Sequence, residues 1–262
     1  MTTIRPAYLV LALICGAMFF NPASGRALEG DPPAPKRRVL LVTGEDYPGH
    51  KWRQTAPALL AELLKDPRLV VDVLADLESL GTARLDDYHA VVVHFKNYDP
   101  HVPGRRGYEN LAGFVERGGG LMLVHFACGA FEEFKDDFVH LAGRVWFGMK
   151  PPPGKRQHDP HGPFTVRITE LDHPITRGLA DFETVDELYT CLEGDPAVTT
   201  LASATSKVDG RSYPMAFVHE YGKGHVFHTV LGHDVAAFTA QGPAELHRRG
   251  CAWVAGLDPA AP

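Results

Sequence analysis

Five predicted strands in this sequence end in imidazole or carboxylate. "RVLLVTG" leads to His50 and Trp52, "AVVVHF" ends at His94, and "LMLVHF" ends at His125. "TVDELY" carries Glu187 and Tyr189, and "HVFHTVLGHD" closes on His233 and Asp234. Neutral imidazole is a common metal ligand and titrates near neutrality. A neighbouring carboxylate can complete a metal shell or orient the ring. The same groups can also move a proton as general acid and base. His125, His233, Glu187 and Asp234 are therefore the expected catalytic set. His50, Trp52, His94 and Tyr189 are the expected substrate contacts, with flat aromatic faces among them. The other use of these residues is a divalent metal such as zinc, held by His50, His125 and His233. The residue types leave both uses open.

Histidine is abundant, at 14 residues. His89, His140 and His173 read as structural or surface groups, and His219, His225 and His228 as packing or rim. His101, His158 and His161 lie in Pro- and Gly-rich loops that are either solvated or folded over a site. Cys128 offers a competing chemistry. "GGGLMLVHFACGAF" has a strand–turn–helix pattern that can expose a nucleophile, and a thiol near His125 can be activated. A small buried cysteine is the plainer reading, because His125 is nearer the strand end. No phosphate-binding loop or dinucleotide fingerprint is present.

These side chains need a frame. The β-branched runs from Arg38, "LVVDVLAD", "HAVVVHF" and "LMLVHF" read as strands buried on both faces. Helices are predicted between them, one capped by Thr55 with Pro57 in its first turn, and one at "YENLAGFVERGGG" stopped by glycines. Alternating strands and helices predict an α/β fold with a mainly parallel sheet covered on both sides. The second half predicts added antiparallel strands at "FTVRIT", "TVDELYTCL", "VTTLASAT", "MAFVHEY" and "HVFHTVL", then a closing helix at "PAELHRRGCAWVAGL". In a parallel sheet, ligands bind beyond the carboxyl ends of the strands, which is where the reactive residues collect.

The net charge is −6 with no basic run, which argues against a nucleic-acid partner. Arg5, an apolar run from Ala7 to Phe20 and the small residues of "NPASGRALEG" follow the order of a secretory signal. That run is shorter than the ~20 residues that span a bilayer. The expected organisation is a signal peptide at 1–27, a Pro-rich linker at 28–37 and one domain at 38–258. The mature protein is then exported, periplasmic or extracellular, with no stable membrane insertion. Cys128, Cys191 and Cys251 are an odd number at wide spacing, so no disulfide framework is expected.

In their order, "RVLLVTG…GHKW", "GGGLMLVH", "HPITRGL", "DELY", "PMAFVHEYGKGHVF" and "LGHD" resemble the ThuA-like family, named for trehalose utilisation. The resemblance implies a flavodoxin-like three-layer sandwich, similar to class I glutamine amidotransferases. It also implies carbohydrate metabolism, with oxidised sugars such as 3-keto-glycosides among the substrates. Its motifs point to His50, Trp52, His125, Glu187, Tyr189, His233 and Asp234. His125 stands where amidotransferases carry their elbow cysteine, which argues against glutaminase activity. Phe217 and His225 depart from the family's Trp and Arg. The expected function is hydrolysis, elimination or isomerisation of a sugar. The alternatives are a sugar-binding module of the same fold and a Cys128-dependent hydrolase. The expected partner is a small carbohydrate, with self-association left open.

Overall fold

The computed structural model describes residues 36–45, 49–99, 101–146, 148 and 156–260. The expected signal peptide lies outside them, as does most of the Pro-rich linker. Among the described residues, no helix is long and apolar enough to cross a membrane. Residues Pro35–Pro262 form one compact unit.

The strands are β1 (Arg37–Val42), β2 (Leu69–Leu74), β3 (Ala90–Val93), β4 (Gly120–Val124), β5 (Val145–Trp146), β6 (Gly162–Ile168), β7 (Phe182–Asp186), β8 (Leu192–Glu193), β9 (Thr199–Thr205), β10 (Ser212–Tyr221) and β11 (Gly224–Thr229). The helices are α1 (Trp52–Leu63), α2 (Gly104–Glu116), α3 (Lys135–Ala142), α4 (Val235–Thr239) and α5 (Gln241–Val254). Nine strands form one sheet in the order β2-β1-β3-β4-β11-β10-β9-β6-β7, and β5 pairs with β8 apart from it. The first five are mutually parallel and the rest antiparallel. The parallel part has the flavodoxin order, in which the chain reverses direction across the sheet between β1 and β3.

Strand alternation explains the layers. Side chains of one strand point to opposite faces in turn. Val39, Leu41, Val92 and Met122 pack with Leu59 and Leu63 of α1 and Leu246 of α5. Leu40, Val42, Val91, Val93 and Leu123 pack with Leu111 and Val115 of α2 and Leu141 of α3. On β1, β3 and β4 both faces are dry, so an uninterrupted apolar run is what these strands require.

Three local details differ from the sequence reading. Helix α1 begins at Trp52, and Thr55 donates from its hydroxyl to the Lys51 carbonyl instead of capping. The predicted strand "TVDELYTCL" stops at Asp186. Helix α4, capped by the Asp234 carboxylate, was not anticipated.

Counting directions through the pairings brings β7 into the same sense as β11. The carboxyl ends of β1, β4, β7 and β11 therefore lie at one edge. In a flat sheet, four strand spacings of about 4.8 Å would separate β7 from β11 by about 19 Å. Yet the Asp186 carboxylate accepts the Gly232 N–H at 2.7 Å. The antiparallel half must curl back over the parallel half, and that curl carries Glu187 to the histidines.

Candidate functional site

The site is assembled from the ends of those four strands. His50 lies between β1 and α1, against the ring of Phe126 at 4.5 Å and nearly parallel to it. His125 follows β4 with φ of 51°, left-handed for a residue with a side chain. Such a backbone costs on the order of 1–3 kcal/mol and persists only where its surroundings impose it. Glu187 follows β7, and His233 follows Gly232 after β11. Gly232 has φ of 124°. A Cβ there would come within 2.6 Å of the Phe238 ring, so glycine alone makes this turn.

Asp186 fixes the geometry. It is wholly buried and accepts three backbone N–H groups, from Glu187 at 2.8 Å, Gly232 at 2.7 Å and His233 at 3.1 Å. Burial raises its pKa, while the three N–H groups and the nearby His125 pull it down. Asp186 was not among the expected site residues. The available signal was the strand's alternation, which puts Asp186 on the same buried face as Thr184.

His125 is fully buried, and its Nδ1 lies 2.6 Å from the Val230 carbonyl oxygen. A carbonyl only accepts, so Nδ1 carries a proton, and in the neutral ring Nε2 keeps a lone pair. Nε2 sits 3.6 Å from Glu187 Oε2 and 3.3 Å from the Tyr189 hydroxyl. His233 Nδ1 lies 3.2 Å from the same Glu187 oxygen. That is ion-pair distance, but the approach is off line and Nδ1 makes no aligned hydrogen bond. One ligand atom from each of His50, His125, Glu187 and His233 falls within 4.8 Å of the others.

The electrostatics follow from this packing. Burial pushes the Glu187 carboxyl up, but the His125 and His233 imidazoles outweigh it and hold it well below the usual carboxylate range. Burial, reinforced by the neighbouring His125, pushes His50 down to about 2. The Glu187 carboxylate raises His233 above its ordinary value.

A cavity of about 170 Å³ opens onto His50, Glu187 and His233. Tyr189, Tyr98 and Trp146 line it, with Lys96 and His158. Lys96 donates to Glu132 at 2.8 Å and lies 4.4 Å from the Trp146 ring centre. His158 donates from Nδ1 to the Asp159 carbonyl at 2.7 Å, and its Nε2 lies 3.6 Å from Glu187 Oε1. Its ring stacks on Tyr189. Lys96, Tyr98 and Trp146 had no sequence signal beyond residue type. His158 was the loop histidine whose place was left open.

The structure brings His50, His125, Glu187, Tyr189 and His233 together. It does not bring the other three expected residues to the cavity. His94 is wholly buried, with Nδ1 3.1 Å from the Thr43 hydroxyl. Burial pushes it down to about 3, and its ring packs against Phe126 instead of opening to the cavity. Trp52 begins α1, and Arg53 lies 4.4 Å over its ring. Asp234 accepts the Ala237 N–H as cap of α4 and pairs with His161 Nε2 at 3.4 Å. Cys128 lines the cavity but is buried as a thiol, which burial pushes up to about 12.

Residues 38–254 match the ThuA family, described as trehalose utilisation. The chain belongs to the ThuA family. A ThuA-like protein of Parabacteroides merdae superposes with a TM-score of 0.74 at 23% identity, covering 85% of this chain and 91% of that one. A ThuA-like protein of Bacteroides uniformis gives 0.67 at 19% identity, covering 87% and 96%. A β-galactosidase of Bacillus circulans gives 0.54 at 12% identity, covering 86% of this chain and 32% of that one. At such identities the likeness is one of fold. No curated protein matches the sequence. In this ThuA chain the elbow after β4 carries His125, and its cysteine lies three residues further on.

Proposed function

We propose that this ThuA-family protein is a carbohydrate-processing enzyme whose reactive centre is the His50–His125–Glu187–His233 cluster. One observation carries the reading. His50, Glu187 and His233 line a cavity whose walls include Tyr98, Trp146 and Tyr189, and the buried His125 joins them from behind. Aromatic faces take the apolar face of a sugar ring, and a few fixed polar groups set its orientation. Imidazole beside carboxylate can move protons or hold an electrophile against a substrate oxygen. An oxidised sugar suits such a centre, because a ring ketone makes the neighbouring C–H acidic. Hydrolysis, elimination or isomerisation can then start from removal of that proton. The family's link to trehalose utilisation supports a sugar as substrate.

The Cys128-dependent alternative is disfavoured by burial of the thiol. The binding-module alternative makes a different prediction in a single experiment. The protein is incubated with α- and β-glucosides, trehalose and their 3-keto forms, followed by proton NMR. The enzyme reading expects consumption of at least one oxidised sugar. Saturable binding with every sugar unchanged would replace it with the module.

Export is proposed with it, on the order of Arg5, the apolar run and the small residues. Mass spectrometry of the native protein should give a new N-terminus between Ala23 and Gly30. Intact Met1 on cytoplasmic protein would contradict export.

A further inference from the structure

We propose that His50, His125, Glu187 and His233 are the ligands of one divalent transition-metal ion, with zinc the best-fitting class. This deepens the sugar-processing reading, but its grounds lie in the site alone.

The first ground is the lone pairs. His125 donates its Nδ1–H to the Val230 carbonyl, so in the neutral ring Nε2 faces the cluster as an acceptor. The Tyr189 hydroxyl stands 3.3 Å from that nitrogen, long for an O–H···N bond, and does not consume the lone pair. Glu187 Oε2 is anionic and lies 3.6 Å from His125 Nε2 and 3.2 Å from His233 Nδ1. His233 Nδ1 is buried without an aligned hydrogen bond. Acceptors gathered face to face repel one another unless a cation lies between them. A proton can bridge one pair of them. A metal ion serves all four.

The second ground is distance. At metal–ligand lengths of 2.0–2.2 Å, a tetrahedral shell has edges of about 3.3–3.6 Å. The two contacts of Glu187 Oε2, at 3.2 and 3.6 Å, are close to such edges. The remaining separations lie within 4.8 Å, so any pair further apart than about 4.4 Å, twice the bond length, closes in when the ion binds. Imidazole and carboxylate together suit zinc and its first-row neighbours, whereas calcium and magnesium prefer shells of oxygen.

The third ground is support around the ligands. Ligating histidines usually donate their other N–H to a carbonyl or carboxylate, as His125 does to Val230. Asp186 holds the backbone of both Glu187 and His233. The left-handed backbone at His125 is retained in spite of its cost.

The test needs no substrate, so it can fail independently of the sugar reading. The untagged full chain is stripped with a chelator and titrated with Zn²⁺ by calorimetry, and with Co²⁺ by visible absorption. The proposal expects one equivalent per chain and cobalt bands that disappear when zinc is added. Glu187→Gln and His50→Ala should each weaken binding by more than the roughly 10–100-fold that loss of an outer partner costs. Exposed His225→Ala should leave it unchanged. His50 lies in the stretch leading into α1, so His50→Ala keeps the test open if Glu187→Gln does not fold. Absence of equimolar binding, or wild-type affinity in folded His50→Ala or Glu187→Gln protein, would overturn the proposal.

Discussion

Asp186 and His233 are joined through the backbone and not through the imidazole. The carboxylate accepts the His233 N–H at 3.1 Å and the Gly232 N–H at 2.7 Å, while the ring turns to Glu187. The carboxylate that looks decisive in the Gly-His-Asp sequence is Asp234, yet it caps a helix. The one that sets the turn comes from β7, 47 positions before His233.

Asp186→Asn tests that role. The amide would keep one acceptor oxygen and turn an N–H donor toward a buried backbone N–H. An unsatisfied buried donor costs about 1–3 kcal/mol. Urea denaturation should show a loss of that order. Metal affinity or turnover in the remaining folded protein should fall by roughly 10–100-fold, as for other outer partners. Unchanged stability would mean that the turn is held elsewhere.

Acid should destabilise the metal-free protein well before its carboxylates titrate. His50 is held down to about 2, His94 to about 3, and His228 and His247 to about 4, each chiefly by burial. Their folded pKa values lie below the unfolded value near 6.5, so below that pH the unfolded chain binds more protons. Each such group removes up to about 1.4 kcal/mol per pH unit as pH falls from 6.5 towards its folded value. His233 acts in the opposite sense. Its raised pKa adds stability that is full below 6.5 and lost as pH rises through the folded value. Four groups against one predict a lower urea midpoint at pH 5.5 than at 7.5. A flat profile would show that the buried rings are not held neutral.

Cys128 should be inert. It is almost wholly buried, and burial raises its thiol to about 12. Native protein treated with iodoacetamide at pH 8 should show Cys128 unmodified by peptide mass spectrometry, and labelled after denaturation. Rapid stoichiometric labelling of the native protein would restore the thiol chemistry.

The frame was legible for a physical reason. Strands buried on both faces must be apolar throughout, so "RVLLV" and "AVVV" announce themselves, and their ends mark the binding edge. His125 and His233 are found by that rule. Trp52 misleads because residues two apart share a face only in extended chain. Here the helix starts at Trp52, so it does not follow His50 to the cavity. His94 misleads because a strand-end histidine can be sealed by Phe126 and Phe238. Lys96, Trp146 and His158 were not legible, because loop geometry and the curl of the antiparallel strands bring them in. Neither leaves a period in the sequence.

The central claim is that the cluster around Glu187 performs the chemistry. The most direct measurement is the turnover of an oxidised glycoside by wild type and by His233→Ala, each with its melting temperature. Removing a group that positions or transfers a proton costs ~10²–10⁴ in rate. His233→Ala should lose at least about 10² while melting as wild type does, and Asp234→Asn should lose less. A folded His233→Ala protein that turns over substrate at the wild-type rate would contradict the account.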